Sequence, residues 1–117
     1  MLGLNHSLKV FLAVEPIDLR KSFDGLCGVV TGRLQENPCS GALFVFTNKR
    51  HSRIKTLHWD GTGLWVAIKR LEQGGFSWPK GLPEKGNCKL SLSPEALSLL
   101  LDGIDLKQGS LKPWYQR

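Results

Sequence analysis

No Cys-x-x-Cys pair occurs in this sequence. Cys27, Cys39 and Cys88 are odd in number and widely spaced, which argues against a disulfide scaffold and a thiolate zinc site and leaves reduced thiols in a cytoplasm as the expectation. His6, His51 and His58 lack the close helical pairing of a metal site, so neither a metal nor another cofactor is expected. The one candidate targeting segment, Val10 to Val14, is closed by Glu15; it is too short for a secretory leader or a membrane span. Acids are also scarce, 10 against 16 Lys plus Arg, and the resulting net charge of +6 favours polyanions while fitting an ordinary basic surface equally well. Internal repeats and low-complexity tracts are absent.

What is present suits a folded chain. At 117 residues, 41% apolar and 22% charged, the sequence predicts one α+β domain over residues 1–105 built around one core. A basic tail over 106–117 carries Lys107, Lys112 and Arg117 beside Pro113 and Trp114.

Hydrophobic periodicity orders the elements. Leu8 to Val14 reads as a first strand ended by Pro16. A helix capped by Asp18 follows, with Leu19, Phe23, Leu26, Cys27, Val30 and Leu34 on its core face until Asn37-Pro38. On a helical wheel Lys21, Gly25, Gly28 and Gly32 fall roughly opposite, suggesting either close backbone approach or a helix held by its core face alone. Ala42 to Phe46 is a continuous apolar run expected as a central strand. Arg53 to Trp59 and Leu64 to Leu71 flank Asp60-Gly61-Thr62-Gly63, a hairpin signal. Phe76 to Trp78 and Cys88 to Leu92 are short strand candidates on either side of a loop at 80–87. Ser93-Pro94-Glu95 announces a second helix presenting Leu97, Leu100, Leu101 and Ile104 and ending near Gly103. The expected architecture is therefore a small mixed or antiparallel sheet of about five to six strands with a central hairpin and two helices.

The densest charge feature is Lys49, Arg50, Arg53 and Lys55, with Lys69 and Arg70 across the hairpin. Strand alternation aligns residues 53, 55, 57 and 59, so Arg53 and Lys55 share a face with Leu57 and Trp59. Such a surface suits phosphate contact with an aromatic beside it; a cation-decorated edge that resists aggregation produces the same pattern. Asp18, Asp24, Asp60 and Glu72 do not converge in the spacing; the first three have capping, helix-terminus and turn roles to fill, and Glu72 follows Lys69 and Arg70 at the end of a strand. Val66-Ala67-Ile68-Lys69 after Gly61 and Gly63 imitates part of a kinase nucleotide site, but the third glycine, His-Arg-Asp and Asp-Phe-Gly are missing. No Gly-x-Ser-x-Gly elbow or phosphate-loop lysine occurs, and no enzyme is expected.

Three blocks carry a resemblance: Asp18-Leu19-Arg20-Lys21-Ser22-Phe23-Asp24-Gly25-Leu26, Leu43-Phe44-Val45-Phe46-Thr47-Asn48-Lys49-Arg50, and Arg53-Ile54-Lys55 through Trp59-Asp60-Gly61. Lys69-Arg70-Leu71-Glu72, Phe76-Ser77-Trp78-Pro79 and Leu99 to Asp105 extend it. In this order the chain resembles the TnpB accessory proteins of the sixty-six family of bacterial insertion sequences. The resemblance implies a non-catalytic protein acting beside an element-encoded transposase. Two positions depart from the family, Ile68 where an aromatic is common and Gly75 where a basic residue is.

The resulting expectation is an accessory protein that assists transposition by contacting the DNA of the element ends, the transposase, or both. Arg20, Lys21, Lys49, Arg50, Arg53, Lys55, Lys69 and Arg70 would meet phosphates or an acidic surface, with Trp59 as the aromatic component. A protein-only adaptor that docks through its apolar and glycine faces is the alternative. No small-molecule substrate and no membrane are expected among the partners.

Overall fold

The computed structural model describes residues 8–78 and 88–102. The elements in chain order are β1 (Val10–Ala13), α1 (Phe23–Gly32), β2 (Leu43–Thr47), β3 (Arg53–Trp59), β4 (Leu64–Arg70), β5 (Lys89–Leu92) and α2 (Pro94–Leu101). The strands form a five-stranded mixed sheet in the order β4-β3-β2-β1-β5. Among the described strands only β1 and β2 run parallel, and α1 is their crossover, as a parallel pair requires a long connection. The remaining neighbours are antiparallel.

β2 is central because both its faces are covered. Every one of its residues is buried, and its alternation delivers Leu43 and Val45 to one cluster and Phe44 and Phe46 to another. The sheet thus divides into two the single core expected from chain length. One cluster gathers Val10, Leu12 and Ile54 with Phe76, Trp78, Leu97 and Leu100. The other gathers Ala13 and Leu57 with Leu26, Val29, Val30 and Leu34 of α1 and its C-terminal exit. A strand that feeds two cores reads as an unbroken apolar run, which is why Ala42 to Phe46 lacks polar alternation.

Several boundaries differ from the sequence reading. α1 begins at Phe23, not after Asp18, because the Asp18 carboxylate accepts from the Arg20 backbone N–H (2.9 Å) and closes a turn ahead of the helix. Phe23 consequently sits in the first turn and is 45% exposed, outside the core stripe that begins at Leu26. The helix ends before Asn37-Pro38: Gln35 adopts a left-handed φ of 54°, and the Glu36 N–H returns to the Val30 carbonyl (3.0 Å).

Phe76 to Trp78 is not a strand. Phe76 and Trp78 are nevertheless buried, and the Trp78 indole N–H donates to the Ala13 carbonyl at 3.0 Å, so packing of two large rings replaces ladder pairing. α2 starts as expected, with the Ser93 hydroxyl accepting from the Ala96 N–H at 3.0 Å. Its last helical residue is Leu101. The expected loop at 80–87, Gly103, Ile104 and the basic tail lie outside the described residues. No helix among the described residues is long and apolar enough to cross a membrane.

Candidate partner-binding interface

The turn between β2 and β3 is fixed by Asn48. Its side-chain oxygen accepts from the Ser52 N–H (3.0 Å) and Arg53 N–H (3.2 Å), and its amide donates to the Ser52 hydroxyl (3.1 Å). The His51 N–H bonds the Asn48 carbonyl (3.0 Å), with His51 at a left-handed φ of 55°. A turn satisfied by its own side chain directs Lys49 and Arg50 into solvent, where both are exposed.

Other cations collect at the same end of the sheet. The Ile17 N–H donates to the Thr47 carbonyl (2.9 Å), which seats the segment before α1 against the end of β2 and brings Arg20 and Lys21 there. Arg53 opens β3 and pairs across the ladder with Arg70, the last residue of β4. Lys21, Lys49, Arg50 and Arg53 are exposed and have no carboxylate partner among the described residues. Arg20 is held by Asp18 through three side-chain hydrogen bonds of 2.7–3.0 Å, and Arg70 by Glu72 at 3.3 Å. Hydrogen bonds from the Arg20 guanidinium, and then from its backbone N–H, lower the Asp18 carboxyl to about 2.

The expected stripe along the hairpin is broken. Lys55 does share its face with Arg53, Leu57 and Trp59, but beyond Arg53 that face is at least partly covered, and the Lys55 ammonium donates to the Leu19 and Lys21 carbonyls, each at 2.8 Å. Lys69 lies on the opposite face, opposite Ile54, and its ammonium donates to the Leu101 carbonyl at the end of α2 (2.8 Å). Trp59 is half-buried at the far end of β3, opposite Leu64. The charges therefore gather at one end of the sheet instead of following its strands.

A groove of about 910 Å³ opens beside this end. Its floor is the glycine side of α1, and its walls include Ile17, Leu19, Lys21, Arg33 and Lys49. A side chain at Gly25 would press on the Lys21 Cβ at 2.9 Å, whereas Gly28 and Gly32 face open space. The close approach foreseen for the glycines is thus internal at Gly25 alone. Arg33 was missed because it follows the helix; its position one residue after Gly32 was the available signal. Gly75 has its own constraint, since a Cβ there would lie 3.1–3.2 Å from the His51 and Arg50 carbonyl oxygens, so a larger residue requires that turn to move.

The hairpin tip is equally determined. The Asp60 carboxylate accepts from the Thr62 N–H, the Gly63 N–H and the Trp65 indole at 2.8–3.0 Å, which holds its pKa well below the usual carboxylate range, the Thr62 bond contributing most. Burial pushes the Cys27 thiol upward, away from thiolate chemistry.

These features define a small mixed-sheet α+β protein with helices on both faces and unpaired cations at one sheet end. Residues 8–110 match the model of the IS66 Orf2-like protein family, and the chain belongs to that family. Two proteins of Sinorhizobium fredii (strain NBRC 101917 / NGR234) are similar. The uncharacterized protein y4jC is 37% identical over 97% of this chain and 93% of its own length. The uncharacterized protein y4hO is 38% identical over 90% and 88% respectively. No solved structure matches the chain.

Proposed function

We propose that this protein is a non-catalytic accessory factor of an insertion sequence that binds the DNA of the element ends through the cationic sheet end, supporting assembly of the transposition complex. The observation that carries this reading is the rigid Asn48-stapled turn, which projects Lys49 and Arg50 beside Lys21 and Arg53 with no described carboxylate to neutralise them. Fixed cations displace counterions from a phosphate backbone without first giving up an internal partner. Lys55 and Lys69, committed to carbonyl groups, contribute to the fold that presents the others.

The test is a titration of labelled element-end DNA at two salt concentrations with the native chain and with a K49E/R50E/R53E variant. The native affinity should fall with salt at a log–log slope of about −0.9 per phosphate neutralised, and the variant should lose roughly three units of that slope if each cation meets one phosphate. Equal binding by the two proteins would remove the assignment.

The groove favours a second reading, a protein adaptor for the transposase, because it places the apolar Ile17 and Leu19 beside bare helix backbone. In that case a complex with the transposase survives high salt and nuclease, and the charge-reversed variant still forms it.

A further inference from the structure

Among the described residues β4 is an edge strand, and the side it turns away from β3 has a definite hydrogen-bonding pattern. The Asp60 N–H bonds the Gly63 carbonyl and the Leu71 N–H bonds the Ser52 carbonyl. Both pairs belong to the β3–β4 register, and narrow pairs alternate with wide ones in an antiparallel ladder. The backbone groups of Trp65, Ala67 and Lys69 are thereby turned toward β3, while those of Leu64, Val66, Ile68 and Arg70 point away from the sheet. The strand is seven residues long, and it has no proline and no bulge to blunt the edge, its two cations, Lys69 and Arg70, standing together at one end. Two large hydrophobics are displayed on it, Trp65 at 47% and Ile68 at 56% exposure.

We propose that this edge pairs antiparallel with β4 of a second copy of the chain, about a two-fold axis at Ala67, to make one continuous ten-stranded sheet. The register follows from the residues. Only registers that place outward-facing groups opposite each other can form bonds, and the one centred on Ala67 pairs all seven residues. It sets Val66 against Ile68 of the second copy on the α1 side, an apolar cross-strand pair. On the other side it sets Trp65 against Lys69, whose stem packs on the indole while the ammonium keeps its α2 carbonyl. Arg70 meets Leu64, so no like charges stand opposite each other. Shifting the axis by one residue toward Arg70 loses two pairs, and shifting it by two opposes Lys69 to itself. Lys69 and Arg70 thus fix the register of the pairing.

The mass of the full chain by sedimentation equilibrium at micromolar concentration should be twice the 13.0 kDa of one copy. Val66→Pro removes an outward N–H without touching the β3 ladder, and Ile68→Lys introduces charge at the contact; both should sediment as single chains with an unchanged circular dichroism spectrum. In a Cys39→Ser background, Ala67→Cys should oxidise to a linked dimer, because facing residues of a wide pair have Cα atoms about 4.5 Å apart, within the disulfide range of about 4.4–6.8 Å. Leu64→Cys should not. A native chain that remains a single copy, a dimer that survives Val66→Pro, or equal linking at positions 64 and 67 would each overturn the proposal. Salt separates this result from DNA binding: two chains of net charge +6 should associate no less well as salt rises, whereas phosphate contact weakens.

Discussion

Lys55 and Lys49 are six residues apart and carry the same charge, yet they do different work. Lys55 stands within β3 on a face covered by α1, and its ammonium closes on two backbone carbonyls ahead of that helix. Lys49 stands on a turn whose hydrogen bonds are supplied by Asn48, and its ammonium is left to solvent. The same division runs through the molecule. Lys69 meets the final carbonyl of α2, and Lys89 donates to the Leu34 carbonyl after α1 (2.7 Å) and pairs with Glu36. Lys69 and Lys89 suit these positions because the last carbonyls of a helix have no internal donor and carry the negative end of its dipole. The sheet lysines tie the helices down, and the turn cations remain available.

Removing what lies between these regions should have the largest effect. Phe44→Ala, in the strand that feeds both clusters, should cost about 3–5 kcal/mol in denaturant unfolding; a small loss would mean that the central strand is not the keystone of the fold. Lys55→Met comes next. It leaves two carbonyls without their donor and should destabilise by about 1–3 kcal/mol, yet leave the salt slope of DNA binding unchanged. A slope change with no stability loss would place Lys55 with the turn cations. The K49E/R50E/R53E variant should reverse that outcome, altering stability by less than about 0.5 kcal/mol while weakening binding.

The smallest effect belongs to acid. Asp18 is depressed from 3.8 to about 2 in the folded chain, so its contribution is present above pH 3.8 and is lost as pH falls from there to about 2. Asp60 is lowered as well and loses its contribution on further acidification. Unfolding measured down that range should show Asp18→Asn with a shallower acid dependence than the native chain. Parallel curves would show that the Arg20 pair, exposed and screened, contributes nothing measurable.

The hairpin was legible because Asp60-Gly61 has a single good backbone solution, and Gly61 takes a φ of 104°; its place was not, since the hairpin expected at the centre lies at one side of the sheet, with β2 central instead. The start of α2 was legible for the same kind of reason: Ser93, Pro94 and Glu95 each act within one turn. Phe76 and Trp78 were recognised as apolar but assigned the wrong structure, since strand and buried loop look alike over three residues. In the candidate interface, the residue types were visible and their commitments were not. The alternation that aligned Lys55 with Leu57 already implied that it faces whatever covers Leu57; the sequence did not reveal that two carbonyls would be waiting there.

By itself, then, the sequence determined the α+β class, the order of strands and helices apart from the strand expected at Phe76 to Trp78, the hairpin turn and the family, because each rests on local periodicity, a cap within one turn, or blocks read in order. Only the tertiary structure decided that two cores flank the sheet, that Lys55 and Lys69 serve the fold, and that Lys21, Lys49, Arg50 and Arg53 gather at one end. Those outcomes depend on which strands become neighbours and which face each helix covers. Such long-range contacts join residues far apart in the chain, and no local pattern encodes them.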